Sequence, residues 1–161
     1  MTRRFERLDE VWPAGLGRRL GAMCYDGLLI LAIWIALAAA HVLVSRLLLD
    51  LPAERLGVGV VQVVSLRGLL LLGAFVFFAF FWMRGGMTLG MQAWRLRVQT
   101  TKGQPIGLYQ SLVRYLVGAL SWAAFGLGHL WVLFDAERRS WADIASGTRV
   151  VVLPGKSREG A

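Results

Sequence analysis

Residues 20–44 form a run of 25 amino acids with a single charge, Asp26. As a helix this run would extend about 37 Å, more than the roughly 30 Å hydrocarbon core of a bilayer. A segment that apolar is buried either in lipid or deep inside a large protein, and 161 residues do not make a large protein. The rest of the composition agrees: 57% of the residues are hydrophobic and 17% charged, where a soluble domain carries about 25% charged residues. The chain reads as an integral membrane protein, with the lipid bilayer as its first partner.

A secretory signal peptide is the competing reading of residues 20–44, because arginines precede the run and Ala36, Ala38 and Ala40 resemble a small-residue cleavage site. The long basic region before it and Asp26 within it argue against cleavage. A second apolar segment, residues 68–83, has no polar side chain. It is only about 24 Å long as a helix, so the helix is expected to begin upstream, within residues 58–66, giving a span over about 58–83. Arg67 then lies near the outer surface, where its stem can snorkel.

The charges between the spans set the orientation. The formal net charge of +8 would suggest nucleic acid in a soluble protein, but here the basic residues flank apolar runs, and no nucleic-acid partner is expected. Residues 84–114 hold Arg84, Arg95, Arg97, Lys102 and Arg114 and no acidic residue, whereas residues 45–67 hold three basic and two acidic ones. The positive-inside rule places residues 84–114 in the cytoplasm with residues 1–14. Within this loop, residues 95–100 alternate in polarity before Lys102-Gly103-Gln104-Pro105, as a short strand before a turn does.

The third apolar segment, residues 115–134 of a helical region over about 109–134, has two readings. A single crossing leaves Arg138, Arg139, Arg149, Lys156 and Arg158 outside, against the rule. The favoured alternative is a hairpin of two short helices, turning between Leu120 and Gly128 with Gly126 and Gly128 permitting the bend. Residues 148–153 can then pair with residues 95–100 as a small cytoplasmic sheet. The expected fold is an all-α membrane bundle of three to four transmembrane or re-entrant helices over residues 15–153, with that sheet at its base and a tail at 154–161. Four-residue spacings of glycine, Gly17 with Gly21 and Gly86 with Gly90, permit close helix approach without deciding it.

Asp26 is the most informative residue, since a carboxylate in a membrane helix costs about 2.5–3.5 kcal/mol on insertion scales. Arg19 lies seven residues earlier on the same face, about 10 Å away along the axis, a geometry better suited to a bridged network than to direct contact. Arg114 is the first choice for a direct partner. Asp26 reads either as a packing group tying helices together or as a protonatable carboxylate for a cation or proton, tuned by nearby arginines. Ser140-Trp141-Ala142-Asp143 fits a capping box, with Arg138 and Arg139 as counter-charges. Cys24 excludes an intramolecular disulfide, and its place in an apolar run suggests packing. No Walker loop, GxSxG, HExxH or zinc spacing is present. No enzymatic activity, cofactor or metal is expected. His41 and His129 read as hydrogen-bonded or interfacial residues, and Trp12, Trp82, Trp94 and Trp141 as anchors flanking the spans.

Taken together, Gly17-Arg18-Arg19-Leu20-Gly21-Ala22-Met23-Cys24-Tyr25-Asp26, then Gly86-Met87-Thr88-Leu89-Gly90 followed by Leu96-Arg97-Val98, then Arg138, Asp143 and Gly147-Thr148-Arg149-Val150-Val151 resemble the RDD family of small bacterial membrane proteins. The likeness runs from about residue 15 to 152. It implies that Arg19, Asp26 and Asp143 are the arginine and two aspartates for which the family is named. Met91 stands where the family commonly has lysine. The resemblance implies a multi-pass protein of the bacterial inner membrane with a transport-associated role, with cation/proton exchange proposed for some members.

The leading expectation is therefore proton-coupled cation movement, with Asp26, Arg19, Asp143 and Arg114 as ligand- or ion-binding residues. Three or four spans rarely enclose a path alone, so a homo-oligomer or a membrane-protein partner is expected. The alternative is a non-transporting scaffold or assembly subunit whose Arg/Asp network is structural.

Overall fold

The computed structural model describes residues 11–154. The charged residues Arg3, Arg4, Glu6, Arg7, Asp9, Glu10, Lys156, Arg158 and Glu159 lie outside that range. The described chain is mostly helical, with a three-stranded sheet. In order it forms β1 (Trp12–Pro13), α1 (Leu16–Leu47), a 3-10 turn (Ala53–Arg55), α2 (Val60–Gly85), α3 (Leu89–Ala93), β2 (Leu96–Thr100), α4 (Leu108–Ala123), α5 (Leu127–Leu130) with a 3-10 turn (Trp131–Leu133), α6 (Trp141–Ser146) and β3 (Thr148–Val152). Two helices, α1 and α2, are long and apolar enough to cross a membrane, and the bent pair Leu108–Ala123 and Leu127–Leu133 would make three if it were one span.

The chain divides into two compact units. Gly27–Phe77 is one, and the segments before and after it are the other. Within Gly27–Phe77 the two long helices run antiparallel, and polar groups pair between them. The Trp34 indole donates to the Leu70 carbonyl at 2.9 Å, His41 Nε2 meets Ser65 Oγ at 2.9 Å, and Ser45 Oγ donates to Gln62 Oε1 at 3.3 Å. Gly73 makes room for Leu37, whose Cδ1 would lie 2.4 Å from a Cβ added there. The expected helix start within residues 58–66 is met at Val60, while α1 begins at Leu16, four residues before the apolar run, and its first turns bury Arg19 and Ala22.

The other unit is built on the sheet, ordered β1-β3-β2 and antiparallel throughout. The register pairs Leu96 with Val152, Val98 with Val150 and Thr100 with Thr148. Side chains alternate across a strand, so Leu96, Val98, Val150 and Val152 share one face and form a core with Ala14, Ala22, Met91 and Ile106. The expected pairing of residues 148–153 with 95–100 is found. Strand β1 was not expected: its two residues include Pro13, which lacks a donor and is tolerated at a sheet edge.

Helix α4 stops at Ala123. Phe125 and Gly126 take positive φ values of 55° and 79°, the Gly126 amide donates to the Ser121 carbonyl at 2.7 Å, and the two segments are bent by 108°. The turn thus falls where the hairpin reading put it. Gly128 is needed for the return, since a Cβ there would sit 2.6 Å from Ser121 Oγ and 2.8 Å from the Trp141 ring.

Candidate functional site

Asp143 is fully buried, at 0% exposure, and its position follows from local sequence. Ser140 caps α6 by accepting from the Asp143 amide at 3.3 Å, and Asp143 Oδ2 accepts from the Ser140 amide at 3.0 Å. This is the capping box expected from Ser140 and Asp143, and it fixes the carboxylate at the first turn of α6. Two guanidinium groups then converge on it. Arg19 Nη1, from the first turns of α1, donates to Oδ2 at 2.7 Å, and Arg114 Nη1, from the middle of α4, donates to Oδ1 at 2.6 Å.

Arg19 is engaged further, and Arg114 makes its bonds through Nη1, its buried Nε having no hydrogen-bond partner among the described residues. Arg19 Nε donates to the Ala14 carbonyl at 3.0 Å and Nη2 to the Arg138 carbonyl at 2.8 Å. Arg114 Nη1 donates to Thr148 Oγ1 as well, and that hydroxyl lies 2.7 Å from Ser146 Oγ. The Arg114 guanidinium stacks 5.2 Å over the Trp82 ring, a cation–π contact that strengthens where water is excluded. Burial on its own pushes the Asp143 carboxyl up. Its neighbours Arg114 and Arg19 and the Ser140 amide outweigh burial and hold it below the usual carboxylate value. One carboxylate between two arginines leaves the cluster with a positive charge in excess.

Asp26 belongs to a different constellation. Its Oδ2 accepts from the Thr88 hydroxyl and its Oδ1 from the Gly90 amide at 2.9 Å. Thr88 in turn caps α3, accepting from the Met91 amide at 3.2 Å. The carboxylate therefore satisfies a donor in the first turn of α3 that has no partner inside the helix. Glycine is required at position 90, where a Cβ would lie 2.3 Å from the Ala22 carbonyl oxygen and 2.9 Å from the Asp26 carboxylate. Gly86, at φ 70°, lets the chain turn into this segment beside the Val98 carbonyl. Thr88 and Gly90 thus belong to the site. The sequence signal for them was the cap-forming threonine between two glycines.

Three expectations are corrected by this geometry. Arg114 does not pair with Asp26, because Asp143 lies within its reach on α6 and takes Nη1. Arg19 makes no direct bond to Asp26, in keeping with its spacing, and serves Asp143 and two carbonyls. Arg138 contributes its carbonyl to the cluster, while Arg139 pairs with Asp135 at 3.0 Å and holds that carboxyl at about 2. Cys24 is exposed, since the face of α1 that packs in this unit is the one bearing Arg19, Ala22 and Asp26.

Three of the four flanking tryptophans pack against the fold. Trp82 lies under Arg114, Trp94 covers Gly21, where a Cβ would meet its ring at 2.4 Å, and Trp141 meets Gly128. The His129 ring lies 5.2 Å from the Trp122 ring, tilted by 55° to it. Met91 is buried in the core behind the sheet.

The RDD family model matches residues 13–147, a range that contains both aspartate sites, all four arginine and aspartate residues in them and the glycine–threonine–glycine turn. No curated protein matches the chain, and no solved structure does. On the strength of that match across most of its length, the chain belongs to the RDD family.

Proposed function

We propose that this protein is a multi-pass protein of the bacterial inner membrane, crossing with α1 and α2, its N-terminus in the cytoplasm, and that it works as a scaffold or assembly subunit. The observation that carries this reading is the engagement of both oxygens of both aspartates. Asp143 is held by two arginines and an amide, and Asp26 by a hydroxyl and an amide. In this arrangement the two arginines and two aspartates bind α1, α3, α4 and α6 to one another. The expected partner is a second copy or another membrane protein, and the role is non-enzymatic and needs no cofactor.

Transport is the second reading, and one feature favours it. Among the described residues Asp26 is bonded only to neutral donors, so a proton or cation could be exchanged there without breaking an ion pair. Flux of protons and monovalent cations in proteoliposomes separates the two, comparing the wild type with Asp26→Asn after both are shown to be folded. Flux in the wild type and none in the variant establishes transport and sinks the scaffold reading. Absence of flux from both, with a stoichiometric partner co-purifying from native membranes, supports the scaffold.

A further inference from the structure

Helix α4 is polar where it faces its own unit and apolar where it does not. Ser111, Arg114 and Ser121 are buried, while Leu108, Leu112, Leu116 and Leu120 form an exposed stripe at four-residue spacing. That spacing puts them on one ridge, and the polarity is the reverse of a helix on a water-soluble domain. At the far end the stripe reaches the turn, where Phe125 is 95% exposed.

The bend argues against a crossing. Helix α4 alone has 16 residues, about 24 Å, short of the roughly 30 Å core, and the segment that would complete a span is bent from it by 108°. Gly128 seats on Ser121, so the returning segment lies back on the last turn of α4. Both ends of this hairpin are held by one cluster. At its start the Gln110 side chain donates to the Ser146 carbonyl at 3.4 Å and Arg114 binds Asp143. After its return the Arg138 carbonyl accepts from Arg19 and the Ser140 amide donates to the same Asp143.

The hairpin also lies beside a helix long enough to cross. Arg114 stacks on Trp82, and the Tyr115 ring lies 6.4 Å from Phe78, both in the final turns of α2. Phe125 is eleven residues beyond Arg114, about 16 Å along a helix and about half the core. Exposed apolar side chains surround the tip, from Trp122 on α4 to Leu127 and Leu133 after the turn. A protein partner covers one side of such a tip, whereas acyl chains cover every side.

We propose that α4 and α5 form a re-entrant hairpin that enters one leaflet of the bilayer, binds lipid acyl chains along the leucine stripe and around Phe125, and leaves by the face it entered. The proposal rests on the membrane reading above. Its test uses a Cys24→Ser background carrying single cysteines, Lys102→Cys, Tyr109→Cys, Phe125→Cys or Phe134→Cys, all at exposed positions, in phosphatidylethanolamine/phosphatidylglycerol proteoliposomes. A membrane-impermeant maleimide is applied before and after permeabilisation with a pore-forming toxin.

The labelled fraction at 109 and 134 should equal that at 102, position 125 should stay unlabelled in both conditions, and a bimane at 125 should be quenched by brominated lipid. Labelling at 134 complementary to that at 102 overturns the hairpin in favour of a crossing. Labelling at 125 from water, or a protected and unquenched 125 that oxidises to a cross-linked dimer, overturns lipid as the partner. Alkaline carbonate extraction tests the underlying reading separately: release of the chain from the membrane pellet overturns membrane insertion itself, whereas retention with any of the preceding failures overturns only the hairpin or its lipid partner.

Discussion

Arg19 and Asp143 stand 124 positions apart in the chain and meet through a 2.7 Å ion pair with neither group exposed by more than 6%. The same carboxylate takes Arg114, so the first turns of α1, the middle of α4 and the start of α6 share a single buried anion. A buried ion pair is weak support for stability when compared with an apolar replacement, but removing one member leaves an uncompensated charge in a medium that solvates it poorly. Here the loss of the anion would strand two cations at once.

Replacing Asp143 by Asn is therefore expected to destabilise the fold by about 3–5 kcal/mol, with loss of the Ser140 cap geometry as a smaller addition. Thermal unfolding in detergent measures it. A melting temperature equal to that of the wild type would refute the structural role assigned to the carboxylate.

Arg19→Lys should fail to rescue the position despite keeping the charge. The guanidinium serves three acceptors in three directions, the Ala14 and Arg138 carbonyls and Asp143. A lysine ammonium on a longer, flexible stem cannot reproduce that fork. Arg19→Lys and Arg19→Ala should both unfold at lower temperature than the wild type, and full stability in the lysine variant would show that charge alone is needed.

Two glycines on one segment of sequence logic should behave oppositely. Gly90→Ala drives a methyl to 2.3 Å from the Ala22 carbonyl oxygen and against Asp26, overpacking that is expected to cost about 1–3 kcal/mol. Gly17→Ala places its methyl in open space within α1 and should be neutral or stabilising by up to about 1 kcal/mol. Urea or thermal melts of the pair check this, and equal effects would undermine the close approach at Gly90.

These residues show where sequence reading succeeds and where it stops. The seven-residue spacing of Arg19 and Asp26 correctly put both on one face of one helix, because helical periodicity is local. Their partners were not legible, because which carboxylate an arginine meets depends on the return of α6 to α4 and α1, a long-range event with no local code. The break at Phe125 and Gly126 was legible, since Gly126 and Gly128 mark where the helical path can turn. Strand β1 was not, as two residues with a proline carry no alternation. The role of Thr88 was half visible: its cap on Leu89–Ala93 is a local signal, but its donation to Asp26 62 positions away is tertiary.

Acid should weaken the cluster in a way that identifies Asp143. Burial raises its carboxyl, Arg114, Arg19 and the Ser140 amide together lower it by more, and the net shift is downward, whereas in the unfolded chain an aspartate titrates near 3.9. A group whose folded value is the lower one releases its proton on folding, so its contribution is complete above the unfolded value and is lost as pH falls below about 4. Between about pH 5 and about pH 3 the melting temperature of the wild type should therefore fall more steeply than that of Asp143→Asn, which has already lost the titrating group. The exposed Asp135 is also depressed, by its hydrogen bonds from Arg139, but it is common to both proteins and cancels in the comparison. Parallel melting curves across that range would show that Asp143 is not held ionised by Arg19 and Arg114.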